Sequence, residues 1–561
     1  MGRHKSVLRW IALAAAWGPV ACGSGGTGVQ PTPVCNTTGG QPVALTVGQY
    51  VSLPPLANAG CLLFPGNASS TDSTLYLLVA QIATSIEGAT AKFVLDGDTL
   101  HPVLAAQVAR SAPVGLGTAE RFHDFLRSQE RTHFAALPPA PPAVATAGPA
   151  RVPPPVVGST RTFSVCAKLD CSSFQQVTAT AKSVNGHLAI YVDNAAPAGG
   201  LTQAELDSLS SVFDTTLYAV DTTAFGRESD VDSNTVVAVL MTNVVNKLVT
   251  QQQCTQTGFI AGFFFGFDID PQYKTDPRSN HGEVFYSMVA DPNGTLSCAH
   301  SARQLKVLVP ITFVHEFQHM ISYNQHVLLR GGLVQVTWLD EGMSHLAEEL
   351  GGRRFLPADP TTFGNFLKGD EYNAYQYLDS TDTHFLAYAS GIGSLAERGA
   401  AWLFVRFITD QFRTDTTFAA TAVFTRSLEQ TAQVGGPAIE SATGTPFATL
   451  VEHWVLANYV SDLPGFAAPP ELQYTSWSLR VVYASLHVQN DSVFPKVFPL
   501  TPPLSAGNAT AIAGTLLAGS GVYVLAAQAP SAPGFTLLFS GPGGAALPAG
   551  LTPVLNVIRL R

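Results

Sequence analysis

The run His315-Glu316-Phe317-Gln318-His319 places two imidazoles four residues apart with a carboxylate beside the first. On an α-helix such residues stand one turn above each other, so both rings face one way and can hold a single zinc ion. Glu316 is then placed to take a proton from a water activated by that metal. Two imidazoles do not complete a catalytic site, which needs a third protein ligand and one position left open for water. The next segment with ligand-type residues at helical spacing is Trp338 to Leu350, carrying Asp340, Glu341, His345, Glu348 and Glu349. Twenty-one residues lie between His319 and Glu341, enough for a loop and a return helix. The spacing therefore predicts a helical hairpin with the metal between its arms.

Both arms carry the signals such a hairpin needs. Val314, Phe317 and Ile321 can bury the first helix, and Pro310 suits its first turn. In the second, Leu339, Met343, Leu346 and Leu350 recur at helical spacing before Gly351-Gly352 ends it. Around the hairpin, His187 to Val192 and Thr235 to Met241 read as strands, and Thr202 to Tyr218 as a helix with Thr202 and Glu205 forming a capping box. Helical patterns dominate from 311 to 463, as in Ala400 to Phe412 and Pro446 to Tyr459.

These segments resemble gluzincin metallopeptidases, and most closely the hyicolysin-type family. The likeness is carried by His315-Glu316-Phe317-Gln318-His319-Met320-Ile321 and Trp338-Leu339-Asp340-Glu341-Gly342. It extends to Phe225-Gly226 with Glu228 to Asp232, to Ala400-Ala401-Trp402-Leu403-Phe404, and to the Trp454 helix, covering roughly residues 180 to 465. The resemblance implies that Glu341 is the third metal ligand beside His315 and His319, and that Glu316 is the general base of a zinc-dependent endopeptidase. No Gly-x-Met-Glu-Asn exopeptidase motif is present. Two positions depart from the family pattern: His345 stands where relatives carry a carboxylate that orients a zinc-bound histidine, and Arg398-Gly399 where Tyr-Gly is expected. Either His345 or Glu348 would then have to orient the histidine. For the oxyanion, Tyr372, Tyr375, Tyr377, His384 and Tyr388 lie downstream, and the sequence does not choose among them.

Length and composition bound the rest. The 561 residues are 46 % apolar but only 12 % charged, which builds large cores and sparse surface charge. Forty acidic against thirty basic residues give a net charge of −10, so no basic stripe exists for a nucleic-acid backbone. Val497 to Ile558 carries no charged side chain, but its glycines, serines and threonines favour a β-rich unit over a membrane span. The expected organisation is multidomain. A signal peptide (1–21) and a flexible tether (22–40) precede an N-terminal β-sandwich-like domain (41–135) that ends in a helix from Ala119 to Arg131. A Pro-rich linker (136–158) leads to an α+β zincin-like catalytic domain with the His-Glu-x-x-His helix (159–465), followed by a C-terminal β-sandwich-like domain (466–561).

The N-terminus reads as an export signal, with Arg3, Lys5 and Arg9 before an apolar stretch. Pro19-Val20-Ala21-Cys22 resembles a bacterial lipoprotein cleavage box, so Cys22 is the expected lipid anchor and the only expected membrane contact, on an outer-membrane lipoprotein or a secreted protein. The other six cysteines allow three disulfides, and pairing neighbours gives 35 with 61, 166 with 171 and 254 with 298. Glu228 to Asn234 places oxygen ligands two apart, a weaker calcium signal without the glycine and distal glutamate of an EF-hand, and Asp268, Asp270 and Asp276 form a second acidic turn. His326, one turn beyond the motif, reads as solvent-facing. The expected protein is an exported, monomeric zinc endopeptidase acting on protein or peptide substrates. The competing expectation is a non-catalytic surface or adhesion protein that kept the scaffold, and residues 41–135 are open to reading as an inhibitory prosegment.

Overall fold

Strand-forming runs separated by turn residues open the chain, and the computed structural model describes residues 36–97, 117–135, 152–389 and 393–561. Strands β1 (Asn36–Pro42), β2 (Tyr50–Leu53), β3 (Gly60–Phe64), β4 (Thr74–Ile82) and β5 (Thr90–Gly97) precede helix α1 (Thr118–Ala135). Next come β6 (Thr160–Cys166), β7 (Phe174–Val184), β8 (Leu188–Asp193), α2 (Gln203–Val212), α3 (Tyr218–Ala224), β9 (Val237–Met241), α4 (Asn243–Asn246), α5 (Gln251–Thr257), β10 (Gly262–Phe264) and β11 (Val284–Ser287). A helical region holds α6 (Ala302–Tyr323), α7 (Thr337–Arg353), α8 (Pro360–Asp379), α9 (Leu395–Phe412), α10 (Phe418–Glu429), α11 (Gly435–Thr443), α12 (Phe447–Val460) and α13 (Leu479–Gln489). Strands β12 (Leu504–Ala506), β13 (Ala511–Leu517), β14 (Gly521–Gln528), β15 (Phe535–Ser540) and β16 (Pro553–Arg559) close the chain. The fold is α+β and multidomain.

The central six-stranded sheet has the order β10-β11-β9-β8-β7-β6. Its middle strands β11, β9 and β8 are parallel, and all five residues of β9 are buried, which explains the unbroken apolar run Val237 to Met241. β10 pairs antiparallel with β11 and ends the sheet. Helix α6 packs on this sheet through Phe313, whose ring meets Phe285 edge-on at 5.0 Å. The capping box expected at Thr202 and Glu205 is present, but the helix it starts passes through a π turn at Phe213–Leu217 before continuing as α3. α6 also starts earlier than Pro310 suggests. Ser301 caps it with Gln304, leaving Pro310 inside the helix, at the cost of one backbone donor.

The β-rich ends differ most from the expected layout. Instead of two separate units, N- and C-terminal strands interleave in two five-stranded sheets, β1-β3-β15-β5-β13 and β12-β14-β4-β16-β2. β4 lies between β14 and β16, pairing antiparallel with both, so residues more than 430 positions apart share backbone hydrogen bonds. The alternation along β4 shows why. Tyr76, Leu78 and Ala80 enter the core between the two sheets, while Leu77 and Val79 enter the core of the helical region. Both faces are buried, so β4 needs partners on both edges and cover on both sides. Residues 36–40, expected as tether, belong to β1, and the stretch after 466 contains α13 before its strands begin. Tyr523 donates to the Val455 carbonyl at 2.7 Å, and Tyr377 meets Ser520 at 2.9 Å, docking the β unit on α12 and α8.

Disulfides join Cys166 to Cys171 and Cys254 to Cys298, as neighbour pairing anticipates. Cys61 is disulfide-bonded as well, and its expected partner Cys35 lies outside the described residues, as do the signal peptide, Cys22 and most of the Pro-rich linker. No helix among the described residues is long and apolar enough to cross a membrane. Interleaving makes a direct prediction. Leu555→Ala in β16 removes a fully buried side chain and should cost about 2–5 kcal/mol. The accompanying loss of amide protection, read by hydrogen exchange, should appear in β4 and β2 at the other end of the chain. Loss confined to residues after 500 would contradict the pairing.

Candidate metal centre

Position in α6 brings His315 and His319 together, and α7 returns Glu341 to the same point. The His315 and His319 Nε2 atoms are 3.2 Å apart. Glu341 Oε2 lies 3.4 Å from His315 Nε2, and Glu341 Oε1 lies 3.9 Å from His319 Nε2. Ligands about 2.0–2.1 Å from a tetrahedral zinc sit roughly 3.3–3.4 Å from one another. Two of these separations match that spacing and the third is about half an ångström longer, so the three side chains gather closely enough to share one zinc ion. Glu341 is fully buried, and its carboxylate is met by Arg398 Nη1 at 3.1 Å and by the two imidazoles. Two imidazole nitrogens and a carboxylate gathered at one point are the donor types zinc accepts, so the set fits a divalent metal.

Close packing holds the two helices in this relation. A Cβ on Gly342 would sit 2.9 Å from the Ala401 carbonyl oxygen, so glycine beside the ligand lets α7 approach α9. Gly399 plays the same part between α9 and α8, where a Cβ would fall 2.2 Å from the Asn373 carbonyl carbon. Trp338, Trp402 and Phe404 fill the space around them, all but fully buried.

The far ring nitrogens are anchored in turn. His315 Nδ1 lies 2.7 Å from Glu348 Oε1, and His319 Nδ1 lies 2.9 Å from Asp340 Oδ2 and 3.1 Å from Ser344 Oγ. Glu348 is thus the carboxylate that meets the far nitrogen of His315. His345 instead touches Glu348 at 3.1 Å and Asp370 at 2.8 Å, in a buried string of alternating charge. Burial disfavours the charged form of His315, but the hydrogen bonds and charges of Glu341 and Glu348 outweigh it and raise the imidazole to about 10. Burial pushes the Glu341 carboxyl up, yet Arg398, His315 and His319 hold it well below the ordinary range.

Glu316 lies beside the triangle, with Oε2 accepting the Phe264 N–H at 2.9 Å and Oε1 lying 3.2 Å from His123 Nδ1. Three neighbours went unidentified by sequence reading. His123 sits on α1, whose pattern shows only an amphipathic helix; Arg398 places Nη1 3.1 Å from Glu341 Oε2, and Asp124 lies 3.8 Å from Arg398. Position 398 did stand out as a departure, but its partner could not be read from it.

Of the five residues considered for the oxyanion, Tyr375 bonds with Lys496, Tyr377 meets Ser520, and Tyr372 is exposed beside Phe494. Burial lowers His384 to about 4. Tyr388 is fully buried with an unpartnered hydroxyl, and burial, then the charge of Glu341, raise its pKa. Contrary to expectation His326 is buried, paired with Glu429 at 3.2 Å. In the first acidic turn, Asp230, Asp232 and Glu283 gather their carboxylates, with Glu283 accepting from Ser229 and Val231. In the second, Asp268 takes a hydrogen bond from Tyr286 and ties the 280 loop to β11.

No family model matches this chain. A stretch of 154 residues is 29 % identical to the neutral metalloprotease ShpI of Staphylococcus hyicus, spanning 27 % of this chain and 32 % of that protein. The chain thus covers about a third of the relative's length, and the similarity supports a relationship to metallopeptidases.

If Glu348 orients His315, Glu348→Ala should weaken metal binding about 10- to 100-fold. Competition against a chromophoric chelator measures this directly, and unchanged affinity would remove Glu348 from the site.

Proposed function

We propose that the chain is an exported zinc endopeptidase in which His315, His319 and Glu341 hold the metal and Glu316 is the general base. The observation that carries this reading is the triangle of two Nε2 atoms and one buried carboxylate, close enough together to share one zinc ion, with a second carboxylate alongside. Zinc in that position supplies Lewis acidity, polarising the scissile carbonyl and acidifying a water.

The protein's own groups do the rest. Glu316 accepts the proton of the attacking water and carries it to the leaving amine. Its place beside β10 keeps the carboxylate aimed by the Phe264 N–H. Tyr388, whose buried hydroxyl has no hydrogen-bond partner, is the downstream aromatic assigned here to donate to the tetrahedral oxyanion. Asp340 and Glu348 fix the tautomers of His319 and His315, so that each presents Nε2 to the metal.

Export is supported by the basic and apolar N-terminal run, by the lipoprotein-like box at Cys22, and by two disulfides suited to an oxidising compartment. Anchoring through Cys22, a family of hyicolysin type, and a monomer acting on proteins or peptides belong to the same proposal. A non-catalytic surface or adhesion protein that kept the scaffold is the alternative, and the Glu348 carboxylate against His315 favours the enzyme.

Two variants test the reading together. Glu341→Ala should lose most of the bound zinc, measured as metal per chain. Glu316→Gln should keep the zinc but lose about 10²–10⁴-fold in cleavage of casein or a quenched peptide. A parent chain that takes up no zinc on reconstitution would sink the proposal.

A further inference from the structure

Helix α1 contributes nothing to the ligand hairpin, yet it reaches the general base, the neighbour of the third ligand, and the edge of the central sheet. His123 lies 3.2 Å from Glu316 Oε1 while the Phe264 N–H holds Oε2, so both oxygens of the base are engaged. One turn on, Arg127 donates to the Phe264 carbonyl at 2.7 Å. Glu130 accepts the Gly266 N–H at 2.6 Å and pairs with Arg127 at 3.2 Å. Asp124, on the same helix, approaches Arg398, which rests on Glu341. Phe122 secures the contact by meeting Phe263 edge-on at 5.0 Å.

These contacts have a common target. Among the described residues β10 pairs with β11 alone, so one edge faces away from the sheet. In an antiparallel strand the N–H and C=O of one residue point to the same side, and residues two apart repeat that direction. The Phe264 N–H and carbonyl are thus groups of the outer edge, and the Gly266 N–H lies just past the strand, where a 3-10 turn begins. An open edge beside a hydrolytic site is where an extended peptide adds as a further strand. Here Glu316 takes the first of those groups, and Arg127 and Glu130 take the other two. Helix α1 stands in for a peptide without being one, and a helix offers no extended bond for cleavage.

The tether of α1 matters equally. Arg131 forms two hydrogen bonds to Glu87, 2.9 and 3.0 Å long, in the turn between β4 and β5. Those strands are locked between β14, β16, β13 and β15 from the far end of the chain. The strands of residues 41–97 therefore cannot depart as a leader while the β unit stays folded.

Taking the peptidase reading as its premise, we propose that α1 is a built-in inhibitory helix: it occupies the peptide-binding edge of β10 and engages Glu316 through His123, and it lifts away while the β unit remains in place. An extended peptide competes with it for the same backbone groups.

The test uses the full, zinc-loaded chain with two single variants. His123→Ala removes the contact to the base. Arg131→Glu breaks the half-exposed tether far from the metal, and Glu87→Arg in combination with it restores the pair with reversed charges. Two readouts are taken: binding of a fluorescent extended tripeptide hydroxamate by polarisation, and kcat/KM on a quenched peptide. If α1 is docked in ~90 % or more of the molecules, releasing it tightens apparent peptide affinity about tenfold or more. Both single variants should show that gain with a matching rise in kcat/KM, and the charge-swapped double variant should return to parent values. Unchanged binding, or activity lost in His123→Ala, would overturn the proposal and make α1 a fixed wall whose histidine serves the reaction. Tighter binding without cleavage by any variant would uphold the inhibitory helix and defeat the peptidase reading. Parent cleavage equal to that of both variants would do the reverse.

Discussion

A carboxylate buried among charged side chains is the constraint around which the helical region is arranged. Glu341 lies at the centre of the packing of α6, α7 and α9, where desolvation alone would push it toward the neutral acid. Its charge survives because His315, His319 and Arg398 surround it, and each of those needs its own counter-charge in turn. Glu348, Asp340 and Asp124 supply them, and His345 and Asp370 extend the string from Glu348. Removing one member of such a network strands another charge in a medium that cannot solvate it, which costs more than the pair contributes. The aromatic packing around it, from Trp338 to Phe404, keeps water out and makes the network obligatory.

The same constraint explains the small residues. Helices can share a buried ionic centre only where their backbones come close, and Gly342 and Gly399 are the points of approach. A larger residue at either position would separate the ligand helix from its neighbours and open the triangle of donors. The Glu-Gly dipeptide is thus one unit: the charge and the means of bringing it in.

How much of this the sequence discloses follows the range of each interaction. Contacts within one helix turn are readable, so the placing of His315, Glu316 and His319 on one helix, the capping box at Thr202 and the disulfide across five residues at Cys166 are found in the structure. Glu341 follows from one further step, a return helix of the right length. Contacts set by tertiary packing leave no local trace. His123 looks like any polar position on an amphipathic helix, and His326 like a surface residue, because nothing in their neighbours announces Glu316 or Glu429. The β unit is the extreme case. Alternation marks β4 and β14 as strands, but register between segments more than 430 residues apart depends on which edges remain open after folding. The unusual feature was visible all the same: Leu75 to Ile82 is apolar at nearly every position, too much for a strand with one solvated face.

Interleaving also changes what the N-terminal segment can be. A leader that folds alone can be removed, whereas one whose strands complete both sheets of the β unit is part of the finished structure. Opposing that permanence, α1 rests on polar contacts to a strand edge and a catalytic-type carboxylate, groups that a competing peptide can satisfy equally well. The two ends of the segment therefore differ in kind. Apolar burial on both faces of β4 is non-exchangeable, since no substrate can replace it, while hydrogen bonds along β10 are exchangeable one for one. A molecule built this way can keep its architecture and give up only the helix, with Arg131 and Glu87 marking the boundary between the part that stays and the part that yields.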